Sequence, residues 1–372
     1  MAKFTDIDDS SEYFQIALYT GNGNATNAIT NDGNSDLQPD WVWVKRREGA
    51  SDHVLQDSSR GFSATTKLAS SSNQHENDTD SGGSFGITDP QWGYISSASS
   101  DGFNANVGTG TGDQVNKTSS TYVAWQWKAN GGTTASNTDG NITSTVQANT
   151  TAGFSIVTWT GNGSDNQTIG HGLGVQPTWW VVKRRDSTGS WVVGSSLGFW
   201  GGTSNYMLWN GTQANSDNVN NIWGDSPSNT TTIRVKNDAE LNANSGTYVA
   251  YVFANKQGFS QCGSYEGNSN TNGAFIHTSF KPALVIIKPN DIAEQWVMHD
   301  STRNTFNFTK NYLFINGTEA EASGGTHGID ILSNGFKVRT SNNNWNPSST
   351  VAYFAFAENP FVTSTGIPTT AR

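Results

Sequence analysis

Apolar residues in this chain fall into short runs bounded by Gly, Pro, Asn and Ser, and they do not recur at helical spacing. Four such segments return in the same order three times. The first opens with Phe14, Phe154 or Phe259 and ends in a turn: Tyr19-Thr20-Gly21-Asn22-Gly23, Trp159-Thr160-Gly161-Asn162-Gly163, and Tyr265-Glu266-Gly267-Asn268. The second is led by Pro and ends in base, at residues 39–47 (PDWVWVKRR), 177–185 (PTWWVVKRR) and 282–288 (PALVIIK). The third occupies 54–58, 192–196 and 297–301. The fourth closes each copy, at 122–127 (YVAWQW), 248–253 (YVAYVF) and 351–356 (VAYFAF). Four landmarks in a fixed order, three times over, identify an internal repeat.

Runs such as 41–44 and 285–287 are β-branched or aromatic, the pattern of strands buried on both faces, whereas 232–236 and 335–340 alternate like half-exposed strands. The Ala/Glu stretch at 319–322 is one turn at most. The pattern predicts an all-β chain of three tandem β-sandwich-like repeats, each of about a hundred residues. Residues 1–131 form the first, with a polar insertion at 70–86; 132–153 are a linker or loose hairpin; 154–258 and 259–361 are the second and third; 362–372 are a tail. Units two and three abut directly, which predicts a near-rigid pair in a row of three. Lys45, Lys183 and Lys288, at strand ends, predict an exposed basic rim that discourages edge pairing.

Composition supports this picture. Apolar residues are only 34%, but 14 Trp, 18 Phe and 10 Tyr supply large rings that can build a core in place of Leu and Ile. The 40 Gly, with abundant Asn, Ser and Thr, suit turns. A net charge of −10 argues against a nucleic-acid partner. Cys262 is the only cysteine, so stability has to come from packing or assembly. The acidic opening residues do not read as a signal peptide, and no apolar run approaches a membrane span.

Candidate chemistry is sparse. Gly82-Gly83-Ser84-Phe85-Gly86 matches a G-x-S-x-G elbow, but it sits in the polar insertion with Pro90 following instead of a helix. The Gly-Asn-Gly turns lack the third glycine and helix of a dinucleotide site and read as hairpin turns. Six scattered histidines show no metal spacing, His171 reads as a turn cap, and the acids at 32–36 lack the glycine and glutamate of a calcium loop. No catalytic, cofactor or metal residue is therefore predicted. Trp41, Trp43, Trp179 and Trp180 read as core, because the third unit has aliphatic residues there. Trp200, Trp209, Trp223 and Trp345 lie outside the recurring segments and are the candidate surface rings for stacking on glycans.

The turn followed by a Pro-led strand ending in Lys, the closing YVAY-type strand, and residues 355–372 (AFAENPFVTSTGIPTTAR) resemble structural proteins encoded by marine bacteriophages. The resemblance runs from Ile7 to Arg372. It implies a non-enzymatic virion component, tail-associated or on the capsid surface, made in the host cytoplasm. Its expected partners are other virion proteins and copies of itself, with no nucleic acid and no membrane insertion. The alternative is a lectin-like module that attaches the particle to host glycans. Both termini are expected at contacts with neighbouring molecules.

Overall fold

A computed structural model describes residues 5–78, 92–110, 114–198, 205–215, 222–224, 226–323 and 325–370. Within them the chain is all β, apart from a 3-10 turn at Ser10–Glu12 capped by Asp9. Among the described residues no helix is long and apolar enough to cross a membrane.

The first stretch forms β1 (Phe14–Thr20), β2 (Asn27–Thr30), β3 (Trp41–Arg46), β4 (Val54–Asp57), β5 (Tyr94–Ser99), β6 (Gly102–Asn106) and β7 (Thr121–Trp127). A hairpin, β8 (Ala135–Asn137) and β9 (Ser144–Asn149), precedes β10 (Phe154–Thr160), β11 (Gln167–Gly170), β12 (Trp179–Arg184), β13 (Trp191–Ser195), β14 (Met207–Leu208), β15 (Thr232–Val235) and β16 (Thr247–Phe253). The last stretch forms β17 (Ser260–Glu266), β18 (Phe275–His277), β19 (Phe280–Pro289), β20 (Val297–Asp300), β21 (Asn311–Phe314), β22 (Ala322–Ser323), β23 (Ile329–Leu332), β24 (Gly335–Val338) and β25 (Thr350–Pro360).

Three main sheets carry the antiparallel orders β1-β7-β3-β4, β10-β16-β12-β13 and β17-β25-β19-β20. A smaller sheet accompanies each: β2-β6-β5, β11-β15 and β18-β24-β23. Because side chains alternate along a strand, each main sheet buries two faces. Val42 and Val44 join Ile29, Ile95 and Phe103 in the sandwich core of the first unit. Trp180 and Val182 do the same with Ile233 and Val235 in the second.

The opposite faces point at one another. Trp41 stacks on Tyr251 at 4.1 Å, Trp179 meets Phe354 at 4.4 Å, and Phe14 stacks on Phe356 at 5.3 Å. Those three contacts join units one and two, two and three, and one and three. The sandwiches therefore surround a shared aromatic core and do not stand in a row. Each ring in that core removes roughly 150–250 Å² from water, which explains how a chain poor in Leu and Ile holds together.

Several expectations need correcting. Lys45, Lys183 and Lys288 are fully buried and form no exposed rim. Of the two readings of 132–153 the hairpin holds and the linker does not: residues 135–149 pair, and β9 adds to the edge of β10, so they extend the second sheet. The Gly-Asn-Gly turns do not close hairpins, because β1 pairs with β7 while β2 belongs to the smaller sheet. Phe14 and Phe154 lie opposite Trp127 and Phe253, but the residue opposite Phe356 is Ser260, one past Phe259. Beside these corrections, the segments near the two termini lie together, with the Ser364 amide donating to Asp8 at 2.6 Å, a bond within the chain that does not bear on their expected contacts with neighbouring molecules.

Candidate functional site

The polar chemistry of this chain is concentrated where the units join. Lys45 donates from Nζ to the carbonyl of Thr318 in the third unit, Lys183 to that of Asn73 in the first, and Lys288 to that of Thr212 in the second, each at 3.3 Å. Each ammonium also reaches the carbonyl of its own next residue, at 2.7–3.0 Å. Burial pulls all three lysines down, Lys45 and Lys288 to about 8 and Lys183 to about 7. Next to them run three backbone bonds: Glu321 N–H to Arg47 O, Glu76 N–H to Arg185 O, and Asn215 N–H to Asn290 O. The direction is cyclic, so the ring of units closes.

Indole groups add a third set. Trp191 Nε1 donates to Ala69 O at 2.7 Å and Trp296 Nε1 to Leu208 O at 2.9 Å, again across units. The first unit has His53 in that place. Its Nδ1 accepts from Trp43 Nε1 at 2.8 Å, which leaves the proton on Nε2 to donate to Phe314 O at 3.0 Å. Burial first, then the charge of Lys45, holds His53 well below the usual histidine range, so it stays neutral.

Two junctions carry a buried ionic cluster, and among the described residues the third carries none. Arg60 bonds Asp57 and Glu76, both at 2.5 Å, while Arg185 pairs with Glu76 at 3.0 Å across the first junction. Arg303 bonds Asp300 at 2.5 Å and Glu321 at 3.1 Å, and Arg47 reaches Glu321 at 2.9 Å across the second. At the remaining junction the corresponding residues are Ser195, Gly198, Asn215 and Asn290. All four members changed together, as expected where removing one partner would strand a buried charge at several kcal/mol.

Each turn after the first strand is pinned by a buried asparagine. Asn116, Asn242 and Asn346 accept from the backbone N–H of Asn22, Asn162 and Asn268 at 3.0, 3.0 and 2.8 Å. Their amide nitrogens donate to the carbonyls of Asn24, Ser164 and Asn270. Sequence reading missed these three. The signal was present, since each stands a few residues before the closing strand in a Ser/Thr-rich stretch (NKTSST, NANSGT, NPSST).

Three of the four candidate glycan rings are not on the surface. Trp209 is buried against Trp43 at 4.9 Å, Trp223 against Trp180 at 5.4 Å, and Trp345 donates to His299 Nε2 at 2.8 Å while stacking on His327. They are core residues, supplied from the loops to cap the sheet faces. Trp200 and the Ser84 segment lie outside the described residues. His171 is buried and accepts from Leu173 N–H at 3.2 Å, the geometry of a turn cap. Among the described residues no group of three or more His, Cys, Asp or Glu is placed to hold a metal ion. Burial pushes the Cys262 thiol up, away from its reactive form. The exposed apolar residues include Phe306 and Ile367.

A model of the family described as Domain of unknown function (DUF7483) matches residues 9–360. No curated protein and no solved structure matches.

Proposed function

The chain belongs to the DUF7483 family over nearly its whole length, and we propose, on its junction chemistry and its sequence resemblance, that it is a non-enzymatic structural component of a bacteriophage virion, tail-associated or on the capsid surface. One observation carries the reading: three buried lysines, a buried histidine and two Arg–carboxylate clusters are engaged in holding the units together. Lys45, Lys183 and Lys288, His53, and the Asp57–Arg60 and Asp300–Arg303 pairs are all buried at junctions and bonded there. Such a molecule is a rigid three-unit block. Rigid blocks with protected buried polar groups suit a particle that must survive outside a cell, and the marine-phage resemblance of residues 355–372 points the same way. Copies of itself and other virion proteins are the partners this reading implies. The glycan-binding alternative loses support, because three of the rings that suggested it are buried.

Purified particles from a phage that encodes the chain test the proposal. Mass spectrometry of density-banded virions should find it at a stoichiometry comparable to other structural proteins. Its absence from particles, with the protein confined to the infected-cell lysate, would contradict the proposal.

A further inference from the structure

We propose that the open edge of β1 is a docking groove for an extended strand of a partner polypeptide, uncharged to basic, which adds to β1 as β9 adds to β10. Two edges of the main sheets, those of β1 and β10, are equivalent. β1 pairs with β7 in the same register as β10 with β16. Tyr13 and Gly153, just before the two strands, accept from Lys128 and Ala254, so in both strands the even-numbered residues direct N–H and C=O away from the sheet. On β10 those groups are taken by β9, with Phe154, Ile156 and Thr158 opposite Asn149, Gln147 and Thr145. On β1 the corresponding residues are Phe14, Ile16 and Leu18, and among the described residues no strand pairs with that side.

The space beside β1 is lined by residues equivalent to those around β9. A groove of about 430 Å³ runs along Phe14 and Ile16, with Asp32 and Gly33 on one wall and Ser301 and Thr302 on the other. In the second unit the same walls hold a strand. Gly172 lies beside Val146 and Ala148 of β9, and Gln147 donates to Ser58 and Ser59 at 3.0 and 2.9 Å. Ser58 and Ser59 occupy in the first unit the positions of Ser301 and Thr302 in the third, directly after Asp57 and Asp300. A carboxamide opposite Ile16 would therefore meet the same pair of hydroxyls. The groove also presents Asp9 and Asp32, while Glu358 beside them is paired with Lys281 at 2.7 Å, and the first two carboxylates disfavour an acidic guest. Strand addition supplies main-chain bonds for affinity, and pockets for alternate side chains supply selectivity.

This inference stands apart from the virion reading, since it concerns one groove and its guest. The probe is a peptide with the sequence of residues 142–150 (ITSTVQANT), titrated into the full chain with amide-exchange readout. Saturable binding with slowed exchange at Ile16 and Leu18 is expected. Leu18→Pro removes only an outward-facing N–H at an edge, where proline is tolerated, and should weaken binding at least tenfold with an unchanged melting temperature. Thr302→Arg, on the far wall, should do the same without touching β1, and Gln147→Ala in the peptide should weaken it severalfold. No binding, equal binding by both variants, protection confined to another edge, or the same protection arising from self-association of the chain alone would each overturn the proposal.

Discussion

The hydroxyl of Tyr251, in the second unit, donates to Asp57 of the first at 2.8 Å, and Arg60 reaches the same hydroxyl at 3.1 Å. One junction further round, Trp125 Nε1 takes that role toward Asp300 at 3.2 Å. At the third junction the equivalent residues are Phe354 and Ser195, which supply neither a matching donor ring nor a carboxylate. The polar clusters are thus properties of junctions, with both sides matched.

Breaking one side of such a cluster should be worse than never having it. Tyr251→Phe removes one hydrogen bond to a charged group and should destabilise the protein by about 1.5–3 kcal/mol. Asp57→Ser leaves Arg60 buried with less compensation and should cost about 3–5 kcal/mol. Denaturant unfolding of both variants and of the double variant gives the coupling, which should be at least ~1 kcal/mol.

Stability should rise from neutral pH toward pH 9.5. The folded-state values of Lys45, Lys183 and Lys288 are lowered to about 7–8 by burial, against 10.5 for the free side chain. Between these limits the unfolded chain binds protons that the folded chain does not, so stability is complete above the unfolded value and is lost as pH falls toward the folded one. Each lysine contributes a slope of up to ~1.4 kcal/mol per pH unit. Lys183→Met should flatten the profile measured by urea unfolding between pH 7 and 9.5. Above that range the raised hydroxyls of Tyr122 and Tyr248, both at about 12, reverse the trend as the unfolded chain ionises first.

The asparagine pins should matter to their turns and little beyond them. Asn242→Ala removes the bonds to the N–H of Asn162 and the carbonyl of Ser164, both on exposed residues that water can reach, and should cost about 0.5–1.5 kcal/mol. Amide exchange should quicken at 161–165 while the equivalent turns at 21–24 and 267–270 stay protected. Equal loosening of all three turns would refute a local role.

Much of the fold was legible because strand chemistry is local. The run Trp41-Val42-Trp43-Val44 declares two buried faces, and the Trp-to-aliphatic exchange at Leu284 and Ile286 declares core. The destination of each face was not legible, since a Trp directed at its own sandwich and one directed at a neighbouring unit look alike in sequence. The lysines misled for a related reason. A Lys after a buried strand usually reaches water, and only the third dimension shows that Lys45 meets the carbonyl of Thr318, far along the chain. Trp209, Trp223 and Trp345 read as surface rings because they fall between the recurring segments, yet loops can return large rings to a core. The open edge of β1 became visible only once β9 was seen on β10.

The claim that three units form one body around a shared core makes a direct thermodynamic demand, which differential scanning calorimetry of the full chain measures. Trp41, Trp179 and Phe356 each contact a ring from another unit, so melting one sheet exposes the faces of the other two. The account predicts a single transition whose calorimetric and van't Hoff enthalpies agree. Two or three separable transitions, with a calorimetric enthalpy at least about twice the van't Hoff value, would show that the units unfold independently and would contradict it.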